Sequence, residues 1–219
     1  MGMRISSVLA HLLFVAITTL VLIWLLRFRE GLSFHSAGNN FKIFNLHPLF
    51  MVVGFVLISG EAILVYTTPM RLGYVMSKRL KPLHISLHLI ALGAAIVGLY
   101  AVFKFHHDTG TSNLVSLHSW IGISTVALFA LQWVFSFFTL LFPSSRPSSK
   151  APWHALFGLI IFSMGILSAV TGLLEKFISL DLKRDQEGFI VNFIGLLLLL
   201  FGISVGLTVL LPRGYLLEI

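Results

Sequence analysis

Leu114–Phe142, LVSLHSWIGISTVALFALQWVFSFFTLLF, decides the fold class. It contains no Lys, Arg, Asp or Glu, and it is longer than the roughly 20 apolar residues that cross a bilayer core. Five further apolar stretches clear the same length, at approximately Ile5–Leu26, Leu46–Thr67, Pro82–Phe103, Pro152–Leu174 and Phe189–Leu211. A chain of 219 residues that is 57% hydrophobic and 11% charged has too little polar surface for a soluble domain. Backbone groups in lipid must be satisfied within their own segment, so the stretches are expected to be helices. The sequence thus predicts an all-α membrane protein: one domain over residues 1–219, a bundle of six transmembrane helices with its core over about 46–174. The first stretch exceeds a signal-peptide core and no small-residue cleavage site follows it, so it is expected to stay in the mature chain. Short connections predict up-and-down neighbours. Pro143–Ser149, with two prolines and four serines, reads as a linker.

The formal charge of +7 is distributed as an orientation signal. With the N-terminus inside, the inner segments carry Arg4, Arg71, Lys78, Arg79, Lys81, Arg146, Lys150 and Arg213 against Glu218 alone. The outer segments carry seven basic residues, Arg27, Arg29, Lys42, Lys104, Lys176, Lys183 and Arg184, offset by six acids. Denser positive charge on the inner loops places both termini in the cytoplasm. It does not form a nucleic-acid footprint.

The chain has no cysteine, which excludes disulfides, thiolate-ligated or covalently attached haem, and cysteine-held iron–sulfur clusters. It has nine histidines. Because alternate helices run in opposite directions, His47 and His118 start helices 2 and 4 at the outer face, while His84 and His154 start helices 3 and 5 at the inner face. Two pairs at matched depths suit haem iron with two axial imidazoles in a helix bundle. His88 follows His84 by four and shares its helix face, so either could be the ligand; depth favours His84. Gly122 and Gly158 each follow a histidine by four, where a missing side chain serves a flat macrocycle or ordinary close helix packing equally well. Asn45-Leu46-His47 and Ser116-Leu117-His118 echo each other, and Glu61 and Gln132 each lie fourteen residues beyond the histidine. Glu61 is the one acid inside a predicted span; it must be paired or neutral, as a partner for a neighbouring helix or as a proton carrier. His11 reads as a packing residue, and His35, His106 and His107 as outer-loop residues. Two histidines per side without nearby carboxylates make a poor zinc site.

Asn45-Leu46-His47-Pro48, Gly60-Glu61-Ala62, Lys81-Pro82-Leu83-His84, Lys104-Phe105-His106, Ser116-Leu117-His118-Ser119-Trp120 and Pro152-Trp153-His154 resemble, in order and spacing, the motifs of the cytochrome b561 family. The resemblance implies two non-covalent haem b groups and electron transfer from cytoplasmic ascorbate to monodehydroascorbate or ferric iron across the membrane. It implies that His47 and His118 hold an outer haem and His84 and His154 an inner one. It places Lys81 at the cytoplasmic ascorbate site, Lys150 at a basic position nearby, and His106 with Phe105 at the outer substrate site. Glu61–Tyr66 resembles the start of the family's ascorbate motif, but Thr67 stands where a basic residue often follows; Lys78, Arg79 and Lys81 could supply that charge. An endomembrane (vacuolar or vesicle) or the plasma membrane is the expected location. Helices 1 and 6 carry no proposed ligand and are free to face lipid or a second copy in a homodimer. Two other readings stand beside this one: a haem-anchoring subunit that exchanges electrons between quinol and a partner protein, and a metal or proton transporter, which would be colourless.

Overall fold

A computed structural model describes residues 5–35, 38–66, 74–142 and 150–211, with backbone alone for 74–79, 140, 150 and 151. The described residues form six long helices: α1 (Ile5–Phe28), α2 (Phe41–Leu64), α3 (Tyr74–Thr109), α4 (Leu117–Leu141), α5 (Lys150–Ser179) and α6 (Gln186–Leu210). All six are long and apolar enough to span a membrane. An even number of crossings brings Ile5 and Leu210 to one face, called inner below, where Thr208 Oγ1 donates to Ser6 Oγ at 2.7 Å.

Side-chain caps set where helices begin. Ser116 Oγ accepts from the Ser119 amide at 3.2 Å while Ser119 Oγ accepts from the Ser116 amide at 3.1 Å, a reciprocal capping box that starts α4. This start places His118 in the first turn, at the outer face. Asp185 caps α6 in the same way, accepting from the Gly188 amide at 2.7 Å.

Packing follows spacing. Ala10, Leu13, Ile17, Val21 and Trp24 on α1, and Val191, Ile194, Leu198, Phe201 and Val205 on α6, are buried at steps of three or four residues. Each set is an apolar stripe, and the two helices pack along their length. Helices 1 and 6 are therefore each other's neighbours, with α6 also against α5. α2 approaches α6 so closely that a Cβ on Gly60 would stand 2.5 Å from Phe201 Cζ. α4 lies along α5 but meets α3 sparsely. Its outward residues Leu131, Phe135 and Phe138 are exposed and apolar, which suits lipid contact.

Three features depart from the sequence reading. The helices overrun the apolar stretches: α3 extends to Thr109, so His106 and His107 lie in its last turn rather than in a loop. α6 begins before Phe189 and takes in Glu187, while α5 takes in Glu175, so Glu61 is not the one acid on a spanning helix. Finally, Trp24–Phe28 and Leu49–Leu57 are π-helical. The second begins just after Pro48, which has no N–H to continue the α-helical ladder.

Glu187 closes the outer end of the α1–α6 seam. Trp24 Nε1 donates to its Oε1 at 2.8 Å and the Arg29 guanidinium pairs with Oε2. Glu187 is only 8% exposed. Glu187→Ala strands a buried cation and an indole N–H, so it is expected to destabilise the protein by roughly 3 kcal/mol. Unfolding in detergent measures this; a loss below about 1 kcal/mol would show that the cluster is solvated.

Candidate functional site

Four histidines meet in two pairs. The ring centres of His47 on α2 and His118 on α4 are 6.1 Å apart, and those of His84 on α3 and His154 on α5 are also 6.1 Å apart. Two imidazoles that bind one metal through bonds of about 2 Å have ring centres about 6 Å apart, once the ring on each side is added. Both separations fit that arrangement.

What aims each ring is a bond to the neighbouring helix. His47 Nδ1 lies 3.0 Å from Gly98 O, His84 Nδ1 2.8 Å from Ala62 O, and His118 Nδ1 2.9 Å from Ser168 O. A carbonyl can only accept, so the proton sits on Nδ1 and Nε2 keeps its lone pair for a metal. His154 Nδ1 faces Ser136 Oγ at 3.2 Å, and that hydroxyl spends its own proton on Gln132 O at 2.7 Å. Gln132 Nε2 also donates to His154 O at 3.1 Å. His47, His84 and His118 are thus held in the tautomer that suits a metal ligand, while His154 Nδ1 meets both the Ser136 hydroxyl and, at 3.4 Å, the Gln132 amide nitrogen.

The bonds are reciprocal. α2 supplies His47 at its outer end and the Ala62 carbonyl at its inner end; α3 supplies His84 at its inner end and the Gly98 carbonyl at its outer end. α4 and α5 repeat this exchange with His118, Gln132 and Ser136 against His154 and Ser168. His47, His84 and His154 lie fourteen or fifteen residues from the carbonyl that their own helix offers at the other level, and His118 lies fourteen from Gln132 and eighteen from Ser136. At 1.5 Å per residue, the two levels are about 21 Å apart. The sequence echo at Glu61 and Gln132 marked this depth. The backbone carbonyls of Ala62, Gly98 and Ser168 escaped notice because every residue has one.

A cavity of about 260 Å³ opens at the inner pair, lined by His84, His88, Gln132, Ser136, His154 and Gly158 among apolar neighbours such as Phe129 and Phe162. Tyr66 stands at its wall, 5.1 Å from His84 between ring centres. Burial raises the Tyr66 phenol above its ordinary pKa, so it is an O–H donor at neutral pH. His88 packs on His84 (4.4 Å) and Phe129 (5.3 Å), and its buried Nδ1 has no hydrogen-bond partner among the described residues. No carbonyl among the described residues orients it.

The glycines divide. A Cβ on Gly158 would meet Gln132 Nε2 at 3.0 Å and one on Gly122 would meet Ser168 Oγ at 3.1 Å, so both make room for the partner helix that orients a histidine. Gly172, which the sequence did not single out, does more: a Cβ there would lie 2.6 Å from His118 Cε1.

Glu61 pairs with His11 of α1, Oε2 to Nδ1 at 2.7 Å, so His11 is more than a packing residue. Near the outer pair, Phe105 packs on Phe44 (5.0 Å) and on His106 (5.9 Å), and Phe44 packs on His47 (6.2 Å). His106 Nδ1 is bonded to Asn113 Oδ1 at 2.8 Å. On the inner side Lys81 is exposed, one turn before His84. The backbones of Lys78 and Lys150 lie in α3 and α5, but their side chains are outside the described residues, as are Arg71, Thr67 and Arg146. Among the described residues no three His, Asp or Glu side chains converge as a zinc site would require.

Paired histidines at two depths of a six-helix bundle define a class of multi-pass membrane proteins. The chain belongs to the eukaryotic cytochrome b561 family, whose model matches residues 46–180, a family of haem b proteins. It is 41% identical over 221 residues to a probable ascorbate-specific transmembrane electron transporter of Oryza sativa subsp. japonica, covering 97% of this chain and 93% of that one. It is 39% identical to transmembrane ascorbate ferrireductase 1 of Arabidopsis thaliana, covering 95% and 90% of the two chains. A plasma membrane ascorbate-dependent reductase of Mus musculus is 38% identical, covering 92% of this chain and 70% of that one.

Proposed function

We propose that this chain is an ascorbate-dependent transmembrane oxidoreductase with two haem b groups. It takes electrons from cytoplasmic ascorbate and delivers them to monodehydroascorbate or a ferric chelate on the opposite side. The observation that carries the reading is the two imidazole pairs, each at a bis-histidine spacing and each with Nδ1 engaged. The residues fit the cofactor: His84 and His154 would hold one haem at the inner level, and His47 and His118 the other. A haem held so supplies a one-electron ferric–ferrous couple at each level.

The remaining chemistry belongs to the chain. Ascorbate is an anion at neutral pH, and a basic inner rim concentrates it. Lys81 holds that anion one turn from His84, where Tyr66 can donate a hydrogen bond. The apolar cavity wall keeps water from the inner pair. His106 and Phe105 line the acceptor side. Both termini are cytoplasmic, in a vacuolar, vesicle or plasma membrane.

The test is a visible spectrum of purified protein, oxidised, then with ascorbate, then with dithionite. A sharp low-spin haem b band appearing with ascorbate, at two haems per chain, supports the reading. Haem that answers only to quinol or dithionite would move it to a haem-anchoring subunit, and folded protein without haem would overturn it. Lys81→Ala is expected to slow reduction by ascorbate about tenfold, the loss of one cationic contact, and to leave dithionite reduction unchanged. Equal slowing with both reductants would sink the assignment of Lys81.

A further inference from the structure

Most cations near the outer face are either paired or fully in solvent. Lys104 pairs with Asp108 at 2.8 Å, Arg29 with Glu187, and Lys183 with Asp181 at 3.4 Å, while Arg27, Lys42 and Arg184 are exposed. Lys176, near the end of α5, is different. It is half-buried, and among the described residues no carboxylate lies within ion-pair distance. Its ammonium stands 4.1 Å from the centre of the Phe44 ring and 5.6 Å from that of Phe41. Phe44 in turn packs on His47, so one ring separates the cation from the outer histidine pair.

Two phenyl faces strip water from one side of the ammonium and return only a cation–π attraction. Its charged neighbours are Arg29, Glu30 and Glu187. Glu187 is engaged by Arg29 and Trp24, and Glu30 accepts from Asn45 Nδ2 at 3.3 Å. The three N–H donors of Lys176 therefore have capacity for an oxyanion, which an ammonium binds far more strongly than a ring.

We propose that Lys176 is a carboxylate receptor beside the outer histidine pair, a role that rests on the function proposed above. The carboxylate belongs either to an anionic acceptor, such as a ferric chelate, or to a propionate of a haem at His47 and His118. Lys176→Gln removes the charge and keeps the length; Lys176→Arg restores the charge. For an acceptor carboxylate, K176Q raises the KM for ferric citrate about tenfold and leaves that for the cation hexaammineruthenium(III) unchanged. For a propionate, potentiometric titration finds one of the two haem potentials lowered by about 59 mV, a tenfold shift in its reduction equilibrium. In either case K176R behaves as the wild type. A haem-loaded K176Q with neither change overturns this proposal alone. Wild-type protein without haem bands overturns it together with the reading it rests on.

Discussion

Replacing His84 by alanine is expected to halve the haem content, from two per chain to one, whereas replacing His88 leaves it unchanged. Both side chains line the inner cavity on the same face of α3, and they pack against each other. Their surroundings separate them. His84 has a carbonyl fixing its Nδ1 proton and an imidazole facing it at ligand spacing, whereas His88 has neither an orienting acceptor nor a facing partner of that kind. Loss of an outer-shell partner alone costs 10–100-fold in metal affinity or activity, and loss of the ligand itself exceeds that. H84A is therefore expected to be reduced by ascorbate at least ~100-fold more slowly. Haem content by pyridine haemochrome and stopped-flow reduction measure the two effects. The opposite pattern, with H88A losing the haem, would transfer the ligand role.

The second large effect is expected at a position that carries no side chain. Gly172→Val puts a branched side chain where a single Cβ would already lie 2.6 Å from His118. The ring cannot step aside without giving up its bond to Ser168 O, since α4 and α5 are packed along their length. G172V should fold, lose the outer haem, and retain an inner haem that ascorbate still reduces. Delivery of electrons to an external acceptor should fall by more than about tenfold. Gly93→Ala, where a Cβ would meet nothing within 4 Å, is the matched control and should be silent. A G172V protein with both haems would show that His118 is not clamped against α5.

The two experiments also mark how much could be read without coordinates. Six helices were legible because lipid demands long apolar runs, and the pairing of His47 with His118 and His84 with His154 followed from alternating helix direction. Helix ends were not legible. α2 begins at Phe41 and α3 runs to Thr109, beyond the apolar stretch, since the rule for crossing a bilayer limits only its core. Pro48 marks where the α-helical ladder loses a donor, but the π-helical stretch that follows runs on to Leu57 against α3 and α5, a length that no local pattern announces. The choice between His84 and His88 was posed by spacing at i and i+4; it takes Ala62 O, 22 residues away, to separate them. His11 looked solitary because its partner Glu61 is fifty residues distant.

The crossed bonds between α2 and α3, and between α4 and α5, act as a ruler. Each helix carries a histidine at one level and an acceptor at the other, so sliding a helix by one residue would misplace both ends at once. One added residue between His84 and Gly98 would also rotate one end by about 100° relative to the other. Chains descended from a common ancestor with this arrangement should accept insertions freely in the connections, such as the serine-rich stretch before α5. Between a histidine and its counterpart on the same helix they should keep one length. Along these four segments length is therefore expected to vary less than residue identity.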